Sequence, residues 1–276
     1  MYIAIDIGGT KTIVSGFSEV DPSQLVFSSM FSTDRNFDNH IKKIREVIKN
    51  NLNDQKIEGI GISHVGILDK NKEKCIDSNN LAEFVNKPIK KLIAKDFTDN
   101  VRLENDLVCG ALAEATFGYG MNYDKVLYFT VSTGIGAAFA YKIGNNINVV
   151  QIEAGFFSIK GIGLPHPSGQ VDIIESYVGE KSMEERFLKR PEEIQDLLLW
   201  EKQVGYLSTA VINSLIMFNT DVLVLGGGMI ENNEYLREKL IINIESGMMQ
   251  KKLPTIKVSK MGKSVAVNGA LSLLKK

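Results

Sequence analysis

Long apolar runs are missing from this chain, and so is any surplus of charge. No stretch of its 276 residues approaches the roughly 18 consecutive apolar residues that a membrane-spanning helix needs, so no membrane partner is expected. Lys and Arg number 32 against 33 Asp and Glu, a net charge of −1, which removes the electrostatic footprint of a nucleic-acid binder. Cysteine is scarce: Cys75 and Cys109 are the only two, too few for a disulfide framework. The three histidines, His40, His64 and His166, are scattered, with no His/Cys cluster at zinc-ligand spacing. A reducing compartment and the lack of a basic-then-apolar leader before the first strand make the cytoplasm the expected location.

What is present is an ordinary globular composition, 44% hydrophobic and 24% charged. This length suits one large domain or two smaller α/β lobes around a cleft. Residues 2–7 (YIAIDI) read as a buried strand running into Gly8-Gly9, with residues 12–17 as the second strand of a hairpin and 24–33 as a third. Ile41, Ile44, Ile48 and Leu52 recur at helical spacing within Asp38–Leu52, an amphipathic surface helix. Residues 57–63 form another strand. A strand at 99–103 leads into Glu104-Asn105-Asp106 and a helix over Leu107–Phe117. The pattern then restarts: strand 126–132, a glycine turn at Thr133–Gly136, and strand 137–142. Ala210–Phe218 closes a long helix, Asp221–Leu225 is a strand entering Gly226-Gly227-Gly228, and Val267–Leu274 is a terminal helix. This internal repeat predicts two similar lobes, 1–118 and 119–276, with the helix at about 267–274 free to pack back on the first.

Several motifs carry chemistry. In Asp6-Ile7-Gly8-Gly9-Thr10-Lys11 a glycine hairpin exposes backbone N–H groups to phosphate oxygens, Thr10 adds a hydroxyl, Lys11 adds charge, and Asp6 could hold Mg²⁺ through water. Ser132-Thr133-Gly134-Ile135-Gly136 is the same device in the second half, and Gly226-Gly227-Gly228 lets a flat nucleoside approach the backbone. Glu104-Asn105-Asp106, at a strand-to-helix junction, offers a carboxylate able to orient a hydroxyl and take its proton; either Asn105 or Asp106 could equally serve as a helix cap. Gly262-Lys263-Ser264 lacks the earlier glycine of a P-loop, since position 257 is Lys. Gly134-Ile135-Gly136 is followed by Phe139 where a dinucleotide fingerprint needs a small residue.

Taken together and in order, these motifs resemble the ROK family of sugar kinases, repressors and related proteins. Ser78-Asn79-Asn80-Leu81 is similar to the family's sugar loop, and Ile152-Glu153-Ala154-Gly155 to its next sugar motif. The resemblance implies an α/β fold of two lobes, actin/hexokinase-like (ribonuclease H-like), with the active site in the interlobe cleft. It implies ATP-dependent phosphorylation of a hexose or N-acetylhexosamine, at the 6-hydroxyl by analogy with glucokinase. Asp106 would be the base. Asn80, Asn105, Glu153 and Glu175 would hold the sugar. Gly8, Gly9, Thr10, Lys11, Thr133, Gly134 and Gly226–Gly228 would hold ATP, and Asp6 would hold Mg²⁺. The alternative is a catalytically inactive sugar- or nucleotide-binding member. Family repressors carry a helix-turn-helix before the first phosphate motif; here that motif begins at residue 6, so no nucleic-acid partner is expected. A homodimer, common in the family, is left open. The departures fall in one region: Phe156 stands where the family has His, and His166-Pro167-Ser168-Gly169 with Asp172-Ile173-Ile174-Glu175 replaces its cysteine-rich zinc motif. No structural zinc is therefore expected.

Overall fold

The computed structural model describes residues 1–53, 55–248 and 252–275. The chain divides into two compact units, Met1–Phe117 with Ser264–Lys276, and Gly118–Lys263. In the first, strands β1 (Tyr2–Ile7), β2 (Lys11–Phe17) and β3 (Leu25–Ser32) precede helix α1 (Phe37–Asn50) and strand β4 (Gly59–His64). A small hairpin of β5 (Ile67–Leu68) and β6 (Cys75–Asp77), the short helix α2 (Ile89–Ala94), β7 (Val101–Asn105) and α3 (Asp106–Phe117) complete this run. The second unit holds β8 (Lys125–Val131), β9 (Ile135–Ile143), β10 (Asn146–Ile152), α4 (Ile174–Val178), α5 (Glu180–Phe187), α6 (Leu197–Phe218), β11 (Val222–Gly226), α7 (Gly228–Asn232), α8 (Glu234–Gly247) and β12 (Thr255–Val258). The last helix, α9 (Val265–Ser272), belongs to the first unit.

Each unit is built on one five-stranded mixed sheet, ordered β3-β2-β1-β4-β7 in the first and β10-β9-β8-β11-β12 in the second. The two orders are equivalent position by position, so the repeat visible in the sequence is a repeat of topology. In both, a glycine turn joins the first two strands into an antiparallel hairpin, the third strand extends it antiparallel, and the last two strands add in parallel on the other side. The central strands are buried on both faces, which explains the near-continuous β-branched runs YIAIDI and VLVLG.

Helix α1 is a residue or two offset from the expected Asp38–Leu52. Asn36 caps it by accepting the Asn39 N–H at 3.0 Å, and Leu52 lies beyond its end. Its buried stripe is Phe37, His40, Ile41, Ile44 and Ile48, so a histidine occupies a position that the apolar pattern skipped. Asp196 caps α6 with hydrogen bonds from the Leu198 and Leu199 N–H groups. Helix α4 begins where Glu175-Ser176-Tyr177-Val178 resembles the family's helix opening, whereas β5, β6, β10, β12 and helices α2, α5, α7 and α8 go beyond the sequence reading.

Helix α9 packs on α3, β1 and β4. Two glycines permit the approach. A Cβ at Gly269 would collide with the Cys109 carbonyl of α3, and one at Gly61 would collide with the Ala270 carbonyl. In each case the obstacle is backbone, which cannot swing aside. Gly269→Ala is therefore expected to cost at least about 2 kcal/mol despite its gain in helix propensity. Urea unfolding measures this; an unchanged midpoint would mean the helices separate freely.

Candidate active site

Parallel strands β1, β4 and β7 end level with one another. Asp6 is in register with Ser63 and Ser63 with Glu104; one step on, Ile7, His64 and Asn105 align. Side chains at the carboxyl ends of adjacent parallel strands converge, and here they bring Asp6 and the Glu104-Asn105-Asp106 run to the same edge. The Ser63 hydroxyl donates to Asp6 Oδ1 at 2.8 Å. Burial pushes the Asp6 carboxyl up to about 6, with the Ser63 hydrogen bond opposing. The Cys109 thiol is pushed well up, first by burial and then by the charges of Glu104, Asp6 and Asp106. Three carboxylates thus surround one buried point. Glu104 has the Lys72 ammonium as partner.

The helix junction separates two roles that the sequence left open. Asn105 Oδ1 accepts the Leu107 and Val108 N–H groups at 2.9 and 3.3 Å, and Asn105 Nδ2 donates to the Gly66 carbonyl at 2.9 Å. Asn105 is the cap of α3. Asp106, half-buried in the first turn, accepts the Leu107 N–H at 3.0 Å through Oδ1. Most of the capping is done by its neighbour.

The first glycine turn is closed by the Gly8 N–H donating to the Lys11 carbonyl at 3.0 Å. Thr10 and Lys11 are exposed on it. Asn80 packs over Gly9, where a Cβ would come within 2.9 Å of the Asn80 Cβ, and Arg35 donates to the Asn80 carbonyl. Behind the turn runs a directed chain of hydrogen bonds. The Asp34 N–H donates to His40 Nδ1 at 3.2 Å, which leaves the proton of the neutral ring on Nε2. Nε2 then donates to Thr12 Oγ1 at 2.9 Å, Thr12 to Thr33 Oγ1 at 2.9 Å, and Thr33 to the Gly8 carbonyl at 2.8 Å. Desolvation holds the His40 ring down to about 4, against the pull of Asp34, so it stays neutral and the chain keeps its direction. Sequence reasoning does not reach Thr12, Thr33, His40 or Ser63. The available signal is register: each faces the turn or Asp6 from an adjacent strand or helix.

In the second unit the turn between β8 and β9 is closed by the Ser132 N–H donating to the Gly134 carbonyl at 2.9 Å, with Thr133 exposed. The first two N–H groups of α5, on Glu180 and Lys181, donate to the Ser132 and Thr133 carbonyls. Glu175, in the first turn of α4, accepts the Ile135 N–H at 2.7 Å through Oε2 and faces Gly134 and Gly155, neither of which leaves room for a side chain. Glu153 is exposed at the end of β10 and accepts from the Gln151 amide at 2.7 Å. The strand β11 delivers Gly226, then Gly227 at φ +92°, where a Cβ would strike the Val131 carbonyl. Only glycine meets both demands. Gly228 is exposed and opens α7. Gly262–Ser264 forms a single 3₁₀ turn before α9. Among the described residues, no helix is long and apolar enough to cross a membrane.

The model of the ROK family matches residues 2–276. Among curated proteins, the chain is 26% identical to the N-acetyl-D-glucosamine kinase of Haemophilus influenzae (strain 86-028NP), covering 99% of both chains. It is 23% identical to the glucokinase of Thermotoga maritima, covering 99% of this chain and 96% of that one. Among solved structures, a ROK hexokinase from Thermus thermophilus superposes with a TM-score of 0.81 at 21% identity, over 98% of this chain and 97% of that one. A ROK family glucokinase from Streptomyces griseus, in complex with glucose and AMPPNP, gives 0.79 at 18% identity, over 99% and 98%. The paired five-stranded sheets described above are the two-lobed actin-like fold of these structures.

Proposed function

The chain belongs to the ROK family, and we propose that it is a sugar kinase that transfers the γ-phosphoryl group of ATP to a hydroxyl of a hexose or N-acetylhexosamine. The observation that carries this reading is Asp106. It is a carboxylate set at the carboxyl edge of a parallel sheet, in the first turn of α3, with the capping duty taken by Asn105. Such a group can orient a hydroxyl and accept its proton as phosphoryl transfer proceeds.

The first unit then supplies Asp106 as base, Asn80 and the second N–H of the Asn105 amide for sugar hydroxyls, and the Gly8–Lys11 turn for phosphate oxygens. The chain from His40 through Thr12 and Thr33 fixes the Gly8 carbonyl, so the turn's free N–H groups are held in one orientation before phosphate arrives. The second unit supplies Glu153 and Glu175 for the sugar, Thr133 and Gly134 for phosphate, and Gly226–Gly228 as a smooth surface for the nucleoside.

The Asp6 site suits hydrated Mg²⁺. Its donor is a hard oxygen, and its carboxyl sits high because burial removes water without bringing a cation close. Mg²⁺, when bound, would neutralise charge on the phosphoryl oxygens.

The test is ADP release with Mg-ATP across a panel of hexoses and N-acetylhexosamines, with the phosphorylated position read by NMR. Turnover on one sugar, at its 6-hydroxyl, is the expected result and names the substrate. ATP and sugar binding without turnover on any sugar would favour the inactive binding member instead.

A further inference from the structure

The segment between β10 and α4 is tied together by its own side chains. Asp172, at φ +55°, accepts the N–H groups of Gly163 and Leu164 at 2.9 Å each, and the Tyr177 hydroxyl, all on Oδ1. The Tyr177 oxygen in turn accepts the Ile162 N–H at 2.8 Å. These bonds, the Tyr177 one first, hold the Asp172 carboxyl below its ordinary value. Gly161 has no room for a side chain beside the Tyr177 hydroxyl. The tip, His166–Gly169, is a turn with the Gly169 N–H on the His166 carbonyl at 2.9 Å.

That tip aims one ring inward. The His166 side chain is 8% exposed. Its Nδ1 accepts the Ser168 N–H at 3.2 Å, so the neutral ring carries its proton on Nε2 and the Ser168 hydroxyl, 2.8 Å away, donates to Nδ1 as well. Nε2 lies 3.2 Å from Glu175 Oε1 and donates to it. The Phe156 ring packs edge-on against the imidazole, with centroids 5.5 Å apart. Glu175 is therefore gripped at both oxygens, by Ile135 N–H on Oε2 and by His166 on Oε1.

We propose that His166 is a positioning residue for Glu175, presented by a loop that the Asp172–Tyr177 clamp orders in place of a metal. The donor set does not fit zinc: there is no thiolate here, both nitrogens of the one imidazole are engaged, and Oδ1 of Asp172 is occupied by three donors. Among the described residues no group of three or more His, Cys, Asp or Glu side chains is placed to hold a metal ion. The functional consequence rests on the reading of Glu175 as a sugar contact. A carboxylate pinned at both ends presents fixed lone pairs to a hydroxyl; freed at Oε1 it loses that alignment.

The test uses the full chain and the sugar identified by the panel, with sugar and ATP varied separately. His166→Ala is expected to lower kcat/KM for the sugar roughly 10- to 100-fold, the size of one charge-assisted hydrogen bond, mainly through KM, with the KM for ATP within about twofold. His166→Gln, which can still donate, should recover part of the loss. Asp172→Ala should move the sugar KM in the same direction. A long-range ¹⁵N spectrum should show His166 as the Nε2–H tautomer, a readout independent of turnover. Metal analysis should find zinc substoichiometric, and a chelator should leave the thermal midpoint unchanged. The proposal is overturned if His166→Ala leaves the sugar KM unchanged while Glu175→Gln raises it, or if stoichiometric zinc is found and its removal unfolds the loop. If Glu175→Gln is itself silent while the Nε2–H tautomer is seen, the reading of Glu175 as a sugar contact has failed and the hydrogen bond stands as a structural one.

Discussion

Asp106→Asn is expected to lower kcat by about 10³-fold while leaving the fold and the affinity for both substrates close to those of the native chain. The substitution removes the proton acceptor and keeps the shape. Asn retains an Oδ1 able to accept the Leu107 N–H, a contact at Asp106 that supports the helix end. The principal cap is untouched, because Asn105 supplies both remaining bonds, to Leu107 and Val108. The helix-dipole advantage of a carboxylate in the first turn is lost, but that is worth only about 0.3–1 kcal/mol. Asn105→Ala is the informative contrast. It should cost about 1–2 kcal/mol of stability through the lost cap, release the Gly66 carbonyl, and leave the acceptor in place. Steady-state kinetics with thermal melts on both variants separate the two roles. A D106N enzyme retaining most of its kcat would remove Asp106 from the chemistry, and one that melts early would make it a structural residue.

The same junction marks how far the sequence carries the reading. Asn and Asp side by side at a helix start are equivalent candidates for capping, because the preference for either is nearly equal. Only side-chain direction distinguishes them. The glycine turns were legible for the opposite reason. A β-branched run ending in paired glycines has few other solutions, and its recurrence at residues 2–17 and 126–142 forecasts the equivalent order of the two sheets. The pairing of β1 with β4, which sets Asp6 beside Ser63, is a contact across 57 residues and leaves no periodic trace. His40 was hidden within an apolar stripe, since its two nitrogens are satisfied by Thr12 and by the Asp34 N–H, one of them 28 residues away. His166 was read only for metal, and the structure engages it with a carboxylate instead. Helix α8 buries Leu236, Leu240 and Ile244 at four-residue spacing, a stripe that thin charged neighbours obscure.

His64→Leu should leave the chain at least as stable at pH 7 and make it much less sensitive to acid. His64 ends β4 fully buried, against the Phe84 ring at 5.9 Å, and among the described residues neither ring nitrogen has a hydrogen-bond partner. Two unmatched polar atoms in an apolar setting cost about 1–3 kcal/mol, which a leucine of similar volume recovers. Desolvation first, opposed by the Val65 backbone and helped by the neighbouring His40, holds the His64 ring down to about 4, whereas in the unfolded chain it titrates near 6.5. Between those values the unfolded chain binds a proton that the native one refuses, so stability is complete above pH 6.5 and drains away as pH falls toward 4. The contribution is about 3 kcal/mol, and His40, also held to about 4, adds a similar amount with the same sign. Asp6 works the other way. Its carboxyl sits at about 6 in the fold against 3.8 unfolded, so the native chain binds the extra proton between those values and gains stability as pH falls. Two histidines, each held down to about 4, outweigh the one carboxyl raised to about 6, so the native chain should weaken between pH 6.5 and 4.5. Urea unfolding at pH 7 and pH 5 should show the loss roughly halved in His64→Leu. An undiminished acid slope, with a weaker protein at pH 7, would mean that the buried imidazole is paired and that its neighbours at the ends of β1 and β7 depend on it.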